Sequence, residues 1–229
     1  MTRRLAALAV ALAILLGSGA RGDAPLAPDP ARHADAVVQV YHARTWGWRG
    51  ALATHPWIAV KEKDAAIYTR YEVIGWRMRY GGEALSISHR APDAPWAGNA
   101  ASLLVDLRGE AAAAAIPRIK DAVARYPYKD RYQTWPGPNS NTFVAWVGRE
   151  VPELGLDLPP TAIGKDFLPE GAVLAKPVGG PGLQLSLFGL AGVTLGLEEG
   201  VEINLLGLVF GVDLNAPGIK LPFLGRIGF

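Results

Sequence analysis

One segment decides how the sequence is interpreted: Trp135-Pro136-Gly137-Pro138-Asn139-Ser140-Asn141-Thr142-Phe143-Val144-Ala145-Trp146-Val147. Its first part contains two prolines and a glycine, which is typical of a turn. Its second part is apolar, with Phe143, Val144 and Val147 at the spacing of one helix face. The segment therefore predicts a loop that passes directly into a helix beginning near Ser140.

The predicted start of this helix is a candidate site for chemistry. The free N–H groups of a first helical turn, together with the positive end of the helix dipole, stabilise an anion or a developing oxyanion. A nucleophile at Ser140 would have backbone N–H groups near Asn141 as its oxyanion site. The alternative is structural: Asn and Ser commonly cap helix N-termini, and Asn139 or Ser140 could have only that role.

The composition indicates an ordinary globular domain and excludes several kinds of site. The chain has 229 residues, of which 50% are apolar and 19% are charged, enough for one compact core. Its net charge is only +2 and its basic residues are dispersed, so nucleic acid is not an expected partner. The absence of cysteine excludes disulfides, thiolate metal sites and a cysteine nucleophile. The four histidines lack zinc-site spacing, so we expect no metal and no cofactor.

The N-terminus has the pattern of an export signal. Two arginines precede an apolar run over residues 5–16, and small residues follow it up to Ala20. These features predict a signal peptide over residues 1–20, and therefore a periplasmic or cell-envelope location. The alternative is a membrane anchor formed by residues 5–20, although the run is shorter than the ~20 residues that usually span a bilayer. Residues 21–34, which are rich in proline, are predicted to be a linker.

Two neighbouring strands are predicted to bring a histidine and a carboxylate together. Ala53–Val60 and Ala66–Trp76 have strand-like patterns and would form a hairpin with a two-residue turn at Lys63-Asp64. In that register His55 lies directly opposite Glu72, with both side chains on one face. A carboxylate beside a histidine fixes the imidazole tautomer and stabilises the protonated ring, as a general base requires. Each residue could instead be an ordinary strand residue whose polar atoms are satisfied locally.

Several tryptophans could line a ligand groove beside this site. One short loop, residues 46–50, places two tryptophans and an arginine close together. Because tryptophan is usually largely buried, packing over the core is the alternative for these side chains. The predicted groove residues are Trp46, Trp48, Arg49, Trp57 and Trp135.

The main domain, residues 35–182, is predicted to contain further strands and one more helix. Glu110–Tyr126 is rich in alanine with a helical apolar stripe, but Pro117 predicts an interruption or a restart. The helix that begins near Ser140 is expected to end near Arg149. Further strands are predicted over Ala36–Tyr41, Ala84–His89 and Leu103–Leu107.

The composition changes at Leu183, after which leucine, valine and glycine dominate and charges are few. Residues 192–198 and 207–213 match in pattern, which indicates related β-strands. Frequent glycines and interrupting glutamates argue against a membrane-spanning helix. We therefore predict that residues 183–229 form an apolar β-meander packed on the main domain. The alternative is a surface that faces lipid or a partner.

Three motifs together resemble a known superfamily: His55-Pro56-Trp57-Ile58-Ala59-Val60, Tyr71-Glu72-Val73 and Asn139-Ser140-Asn141-Thr142-Phe143-Val144. The combination is similar to the circularly permuted branch of the papain-like superfamily, which includes lecithin-retinol acyltransferases and bacterial permuted cell-wall-peptidase relatives. The resemblance implies an α+β fold in which an antiparallel sheet packs with helices. It also implies His55 as general base, Glu72 as its orienter and Ser140 at the nucleophile position. The chain further resembles, over nearly its whole length, a bacterial family of unknown function.

Ser140 departs from the papain-like pattern, in which cysteine occupies this position. A serine hydroxyl has no accessible anion at neutral pH, so Ser140 would lose its proton to His55 as it attacks. The expected function is an exported hydrolase or acyltransferase acting on an amide or ester of an envelope peptide or lipid. The alternative is an inactive envelope protein that keeps the groove for binding, or has a structural role that includes membrane association. The oligomeric state is not predicted.

Overall fold

Two antiparallel sheets and two α-helices are the main elements in the computed structural model, which describes residues 25–213 and 215–228. The predicted α+β class is therefore confirmed. The predicted signal peptide, residues 1–20, lies outside the described residues, as does the start of the predicted linker. None of the described helices is long and apolar enough to span a lipid bilayer.

The first sheet precedes both helices in the chain. Its strands are β1 (Val37–Arg44), β2 (Thr54–Lys61), β3 (Thr69–Val73), β4 (Leu85–Ser88) and β5 (Ser102–Arg108). Their order across the sheet is β4-β3-β2-β1-β5, and every neighbouring pair is antiparallel. The helices are α1 (Gly109–Arg125) and α2 (Ser140–Glu150). Short 3-10 helices cover Gly47–Ala51, Gly75–Tyr80, Pro152–Leu154 and Pro169–Gly171.

Helix α1 continues without a break past Pro117, so the predicted interruption is wrong. Pro117 lies on the exposed side of the helix, where water can bond the carbonyl that loses its N–H partner. Ala112, Ile116 and Ile119 form the buried side and pack into the main core. The apolar stripe therefore determines the helix, and the proline is tolerated at its surface.

The three central strands of the first sheet, β1, β2 and β3, are buried on both faces. Successive side chains of a strand point to opposite sides, so each of these strands contributes to two layers. Val38 and Val40 pack with α1 and α2 in the main apolar core. Val37 and Tyr41 belong to a second apolar cluster on the other face, which the loop containing Trp96 helps to cover. Every residue of β2 is buried. Polar side chains on these strands must therefore find partners inside the protein.

The pairing of β2 with β3 differs from the predicted register. Val60 pairs with Thr69 and not with Ile67, a shift of two residues, because the connection between the strands is longer than a two-residue turn. His55 is therefore not directly opposite Glu72, and that part of the prediction is wrong. A shift of two residues nevertheless keeps every side chain on its predicted face. His55 and Glu72 consequently remain on the same side of the sheet.

A second sheet follows the helices. Its strands are β6 (Leu174–Ala175), β7 (Gly182–Leu187), β8 (Ala191–Gly196), β9 (Gly200–Leu205), β10 (Leu208–Asp213), β11 (Gly218–Leu221) and β12 (Gly225–Gly228). Each strand pairs with the next along the chain, so the predicted meander is confirmed. The sheet begins at Leu174, before the predicted boundary at residue 183. The sequence did not predict β6, because a two-residue strand is too short to show a strand pattern.

Buried ion pairs hold the polar inner face of the second sheet against the rest of the protein. Glu202 lies between two buried lysines: it pairs with Lys165, and its Oε1 lies 3.0 Å from Lys220 Nζ. Lys220 Nζ also lies 2.6 Å from Asp157 Oδ1, and Lys165 Nζ lies 3.7 Å from Asp166 Oδ1. Each of these five charged groups therefore has a partner of opposite sign, which offsets the free energy of removing it from water.

We expect Glu202→Gln to destabilise the protein by about 3–5 kcal/mol, since it leaves two buried lysines without their shared carboxylate. Urea unfolding followed by circular dichroism measures the change. The matched control is Glu153→Gln, which removes a partly exposed ion pair with Arg118 and should cost less than about 1 kcal/mol. Equal effects of the two substitutions would show that the buried network does not stabilise the sheet.

Candidate active site

Glu72 links two strands of the first sheet at the centre of the candidate site. Its Oε2 lies 3.1 Å from His55 Nε2 and 2.9 Å from Arg70 Nη2. All three side chains are buried. Arg70 and Glu72 are two residues apart in β3, so they point to the same face of the sheet as His55 in β2. The predicted contact between His55 and Glu72 is therefore present, with Arg70 as an additional partner.

The charges of these groups determine which nitrogen of His55 is free. Burial alone would raise the pKa of Glu72, but the hydrogen bonds and charges of His55 and Arg70 lower it below its usual range. An ionised carboxylate only accepts hydrogen bonds, so His55 Nε2 must donate its proton to Glu72. Burial also lowers the pKa of His55, although Glu72 acts in the opposite direction. At neutral pH His55 is thus a neutral imidazole with its lone pair on Nδ1.

Aromatic packing holds the imidazole of His55 in one orientation. Trp96 stacks on it with ring centroids 3.6 Å apart and an interplanar angle of 7°. Trp57 lies at a centroid distance of 6.0 Å, and the guanidinium of Arg70 lies 4.0 Å from the Trp57 ring centroid. The indole N–H of Trp57 donates to the carbonyl of Pro92 at 2.6 Å. Stacking, a cation–π contact and a hydrogen bond therefore fix the positions of the His55, Trp57 and Arg70 side chains relative to one another.

Asn139 caps helix α2, and Ser140 is the first residue of that helix. The Asn139 Oδ1 accepts the backbone N–H groups of Asn141 and Thr142 at 2.9 and 3.1 Å. Thr142 Oγ1 in turn accepts the backbone N–H of Asn139 at 3.1 Å, which completes a capping box. The Asn139 amide also donates to the carbonyl of Ile163 at 2.9 Å. The structural alternative for Asn139, an N-cap, is therefore confirmed.

The cap changes the predicted oxyanion site. The backbone N–H of Asn141 is already donated to Asn139, so its predicted availability as an oxyanion donor is wrong. The cap does not use the backbone N–H of Ser140, which lies at the positive end of the helix dipole. An anion at this end of α2 would therefore meet the Ser140 N–H first.

The start of α2 is fixed against the start of β2, but no hydrogen bond joins Ser140 to His55. Asn141 Nδ2 donates at 3.2 Å to the carbonyl of Thr54, which precedes His55 in the chain. His55 points to the face that contains Trp57, whereas α2 packs on the opposite face. Within the described part of the chain, the side-chain hydrogen bonding of His55 ends at Glu72. The structure therefore brings His55 and Glu72 into contact, whereas Ser140 has no hydrogen bond to either of them.

The predicted groove residues divide into buried and exposed side chains. Trp57 is 0% exposed, so its predicted place in a groove open to ligand is wrong; it packs beneath His55 and Arg70 as part of the interior. The exposed side chains are those of Trp46, Trp48, Arg49 and Trp135, with the Arg49 guanidinium 4.9 Å from the Trp48 ring centroid.

Sequence reasoning missed two residues of the site, Arg70 and Trp96. A signal for Arg70 was available, because its position two residues before Glu72 in a predicted strand places both side chains on one face. Trp96 lies in a loop distant in sequence from His55, and no local pattern predicts the stacking of the two rings.

Other features of the described residues lie away from this site. No three His, Cys, Asp or Glu side chains in the described ranges are grouped closely enough to hold a metal ion. A cavity of about 690 Å³ is lined by residues of the 25–30, 66–68 and 89–93 segments. None of His55, Glu72 and Ser140 lines this cavity. A substrate site at His55 would therefore be separate from it.

Comparison with known proteins matches residues 35–167 to a family model described as protein of unknown function (DUF3750). The matched residues contain His55, Glu72, Ser140 and both helices, and they end before the second sheet. No curated protein and no solved structure matches the chain. The comparisons therefore assign no activity.

We expect Arg70→Met to raise the pKa of His55, because it removes a buried cation that disfavours the imidazolium and leaves Glu72 to favour it. An NMR titration of the imidazole protons, assigned with His55→Gln, measures this pKa. Arg118→Met is the control, since its guanidinium pairs with Glu153 at the surface. An unchanged pKa of His55 in folded Arg70→Met would contradict the assigned charge balance.

Proposed function

Because the chain belongs to the DUF3750 family of unknown function, we propose from its site chemistry that it is an exported enzyme that hydrolyses an amide or ester, or transfers its acyl group. One observation supports this proposal above others: Glu72 holds His55 with Nε2 protonated and Nδ1 free. That arrangement is what a general base requires. Ser140, at the N-terminus of α2, is the proposed nucleophile.

In the proposed reaction, Ser140 Oγ attacks the substrate carbonyl carbon while His55 Nδ1 takes the hydroxyl proton. The carbonyl oxygen becomes an oxyanion beside the backbone N–H of Ser140 and the positive end of α2. Glu72 stabilises the imidazolium, which then gives the proton to the leaving amine or alcohol. Water, or an acceptor hydroxyl or amine, next cleaves the acyl-serine ester with His55 as base. His55 and α2 lie on opposite faces of the first sheet in this structure, so the proposed reaction requires a local rearrangement that brings Ser140 Oγ to His55 Nδ1 when substrate binds.

A circularly permuted papain-like arrangement is part of this proposal. The chain order supports it, with His55 and Glu72 on neighbouring antiparallel strands and Ser140 at the start of a later helix. In this interpretation Ser140 replaces a cysteine. A helix N-terminus lowers the pKa of a thiol into the physiological range, but it does not ionise a serine at neutral pH. His55 therefore has to remove the proton in the attacking step.

A catalytically inactive envelope binding protein is the second candidate function. The observation that favours it is the position of His55, which is 4% exposed, lies against Trp96 and has no hydrogen bond to Ser140. Trp46, Trp48 and Trp135 are exposed and could stack on an envelope peptide or a lipid headgroup. Under this alternative the pairing of His55 with Glu72 stabilises the fold only.

We place either function in the cell envelope. The support is the sequence of residues 1–20, with its basic start, apolar run and small residues. Peptides and lipids of the envelope are then the ligand classes that the protein would meet, and association with the membrane is a further part of the proposal.

We expect a fluorophosphonate probe to label the wild-type protein at Ser140, because the probe reacts with serines activated by a general base. Ser140→Ala should abolish labelling, and His55→Gln should slow it by roughly 100-fold or more. Ser102→Ala is the matched control, since Ser102 is an exposed serine in β5. Peptide mapping by mass spectrometry identifies the labelled residue.

Two outcomes would overturn the enzymatic proposal. One is an absence of labelling in folded wild-type protein. The other is labelling that Ser140→Ala leaves unchanged. Retention of wild type and Ser140→Ala alike on peptidoglycan or lipid would then favour the binding function.

A further inference from the structure

The outer face of the second sheet is apolar from β7 to β12. Strand pairing aligns side chains from six strands into one continuous row, and each member is close to half exposed. With neighbouring strands ~4.8 Å apart, the seven-stranded sheet is roughly 30 Å wide. The row consists of Leu183, Leu195, Val201, Val212, Ile219 and Ile227.

The charged side chains of the same strands all lie on the other face of the sheet, where Glu202, Asp213 and Lys220 are buried and the partly exposed Arg226 pairs with Asp213. Glu202, Asp213, Lys220 and Arg226 are the charged residues of β7 to β12, and they pair with one another or with the rest of the protein. Antiparallel sheets that face water have the opposite arrangement, with apolar side chains inside and polar ones outside. An apolar surface of this extent marks a site of interaction.

Three hairpin turns place bulky apolar residues in a backbone conformation that disfavours them. Phe188, Leu206 and Phe223 have φ values of 54°, 56° and 70°. They are also 63%, 67% and 50% exposed. Gly, Asn and Asp adopt positive φ more readily and would interact better with water at such positions. The turns thus combine backbone strain with exposed apolar surface, a combination that indicates selection for function.

These apolar tips lie at one end of the sheet. In a meander alternate turns are on the same side, so the β7–β8, β9–β10 and β11–β12 turns share an end. The β8–β9 turn at the opposite end contains Glu198 and Glu199, and the described part of the β10–β11 turn contains Asn215. Trp135 lies at the apolar end, where its indole N–H donates to the carbonyl of Leu206 at 3.0 Å. The sheet is therefore polarised along its strands.

We propose that this sheet docks on a lipid bilayer, with the tips Phe188, Leu206 and Phe223 inserted into the hydrocarbon and the apolar outer face resting against the membrane. Because the charged side chains lie on the opposite face, contact between the outer face and the membrane removes no charged group of these strands from water. Trp135 beside the tips suits the interface between headgroups and hydrocarbon. Among the described residues, β6 and β12 are the edge strands, and backbone groups without a partner strand at such edges keep the sheet at the membrane surface.

A bilayer explains more of the surface than a second copy of the chain does. Two sheets stacked face to face would cover their apolar faces and leave the tips in water, whereas a bilayer receives both. The predicted export signal over residues 1–20 would direct the chain to the cell envelope, where a membrane is present. The docking surface does not depend on catalysis at Ser140, so either proposal can fail without the other.

A fluorophore placed at the tip tests the docking directly. The chain has no cysteine, so Leu206→Cys introduces a single thiol for an environment-sensitive nitrobenzoxadiazole label. Leu197→Cys is the matched control, an exposed leucine in the turn region at the opposite end of the sheet. With full-length protein and phosphatidylcholine vesicles, we expect a blue-shifted emission, protected from aqueous quencher, at position 206. We expect a smaller shift and weaker protection at 197, which lies at the end of the outer face away from the inserted tips. The local label reports contact even when residues 5–16 hold the chain on the vesicle.

Three outcomes overturn the proposal. Vesicle-bound protein without a shift at position 206 excludes insertion of the tip, and equal shifts at 206 and 197 exclude the assigned orientation. The third outcome is that the label at position 206 is protected from quencher in the absence of lipid, that this protection increases with protein concentration, and that sedimentation shows a dimer. This result would assign the surface to a second copy of the chain.

Asparagine substitutions separate docking from folding. Asn accepts positive φ more readily than Phe or Leu, so Phe188→Asn combined with Leu206→Asn should leave the melting temperature unchanged or raise it. The same double variant should reduce the emission shift of a label on Phe223→Cys, with vesicle partitioning of the sheet weakened at least about tenfold. Unchanged partitioning in the folded double variant would contradict the proposal.

Discussion

The candidate site depends on the hydrogen bonds that the carboxylate of Glu72 accepts from Arg70 and His55. A buried carboxylate is strongly unfavourable without a cation, and Arg70 supplies that cation from the same strand. Because Arg70 balances the charge of Glu72, His55 can remain neutral and keep a lone pair on Nδ1. Burial is the largest cause of the lowered pKa of His55, Glu72 acts against it, and the charge of Arg70 acts in the same direction as burial. Arg70 thus helps to keep the buried histidine a neutral base beside an ionised carboxylate.

The contact between His55 and Glu72 was predicted correctly from the sequence even though the predicted strand register was wrong. The predicted hairpin register is wrong by two residues, yet His55 and Glu72 meet because such a shift preserves the face of each side chain. The period-two pattern that predicts this face also holds for Arg70. The stacking of Trp96 on His55 and the burial of Trp57 could not be predicted, since both depend on how a distant loop folds over the sheet.

The two sheets show how far an alternating pattern determines a structure. The strands of the second sheet are predictable, because apolar and polar residues alternate along them with glycine between the segments. Which face is buried is not predictable from that alternation. Here the polar face is inside, because Lys165 and Asp157, from segments outside the sheet, pair with Glu202 and Lys220. The usual rule of apolar residues inside assigns the faces wrongly when a buried ion network is available.

The proposed reaction requires Ser140 at the N-terminus of α2 to act together with His55, although the two residues lie on opposite faces of the first sheet. Ser140→Cys would introduce the only cysteine of the chain, and the pH dependence of its alkylation by iodoacetamide gives the pKa of its thiol directly. We predict a pKa clearly below the reference value of about 8.5, and a higher pKa when His55→Gln is added. A thiol pKa at or above about 8.5 that His55→Gln leaves unchanged would show that the two residues do not act together.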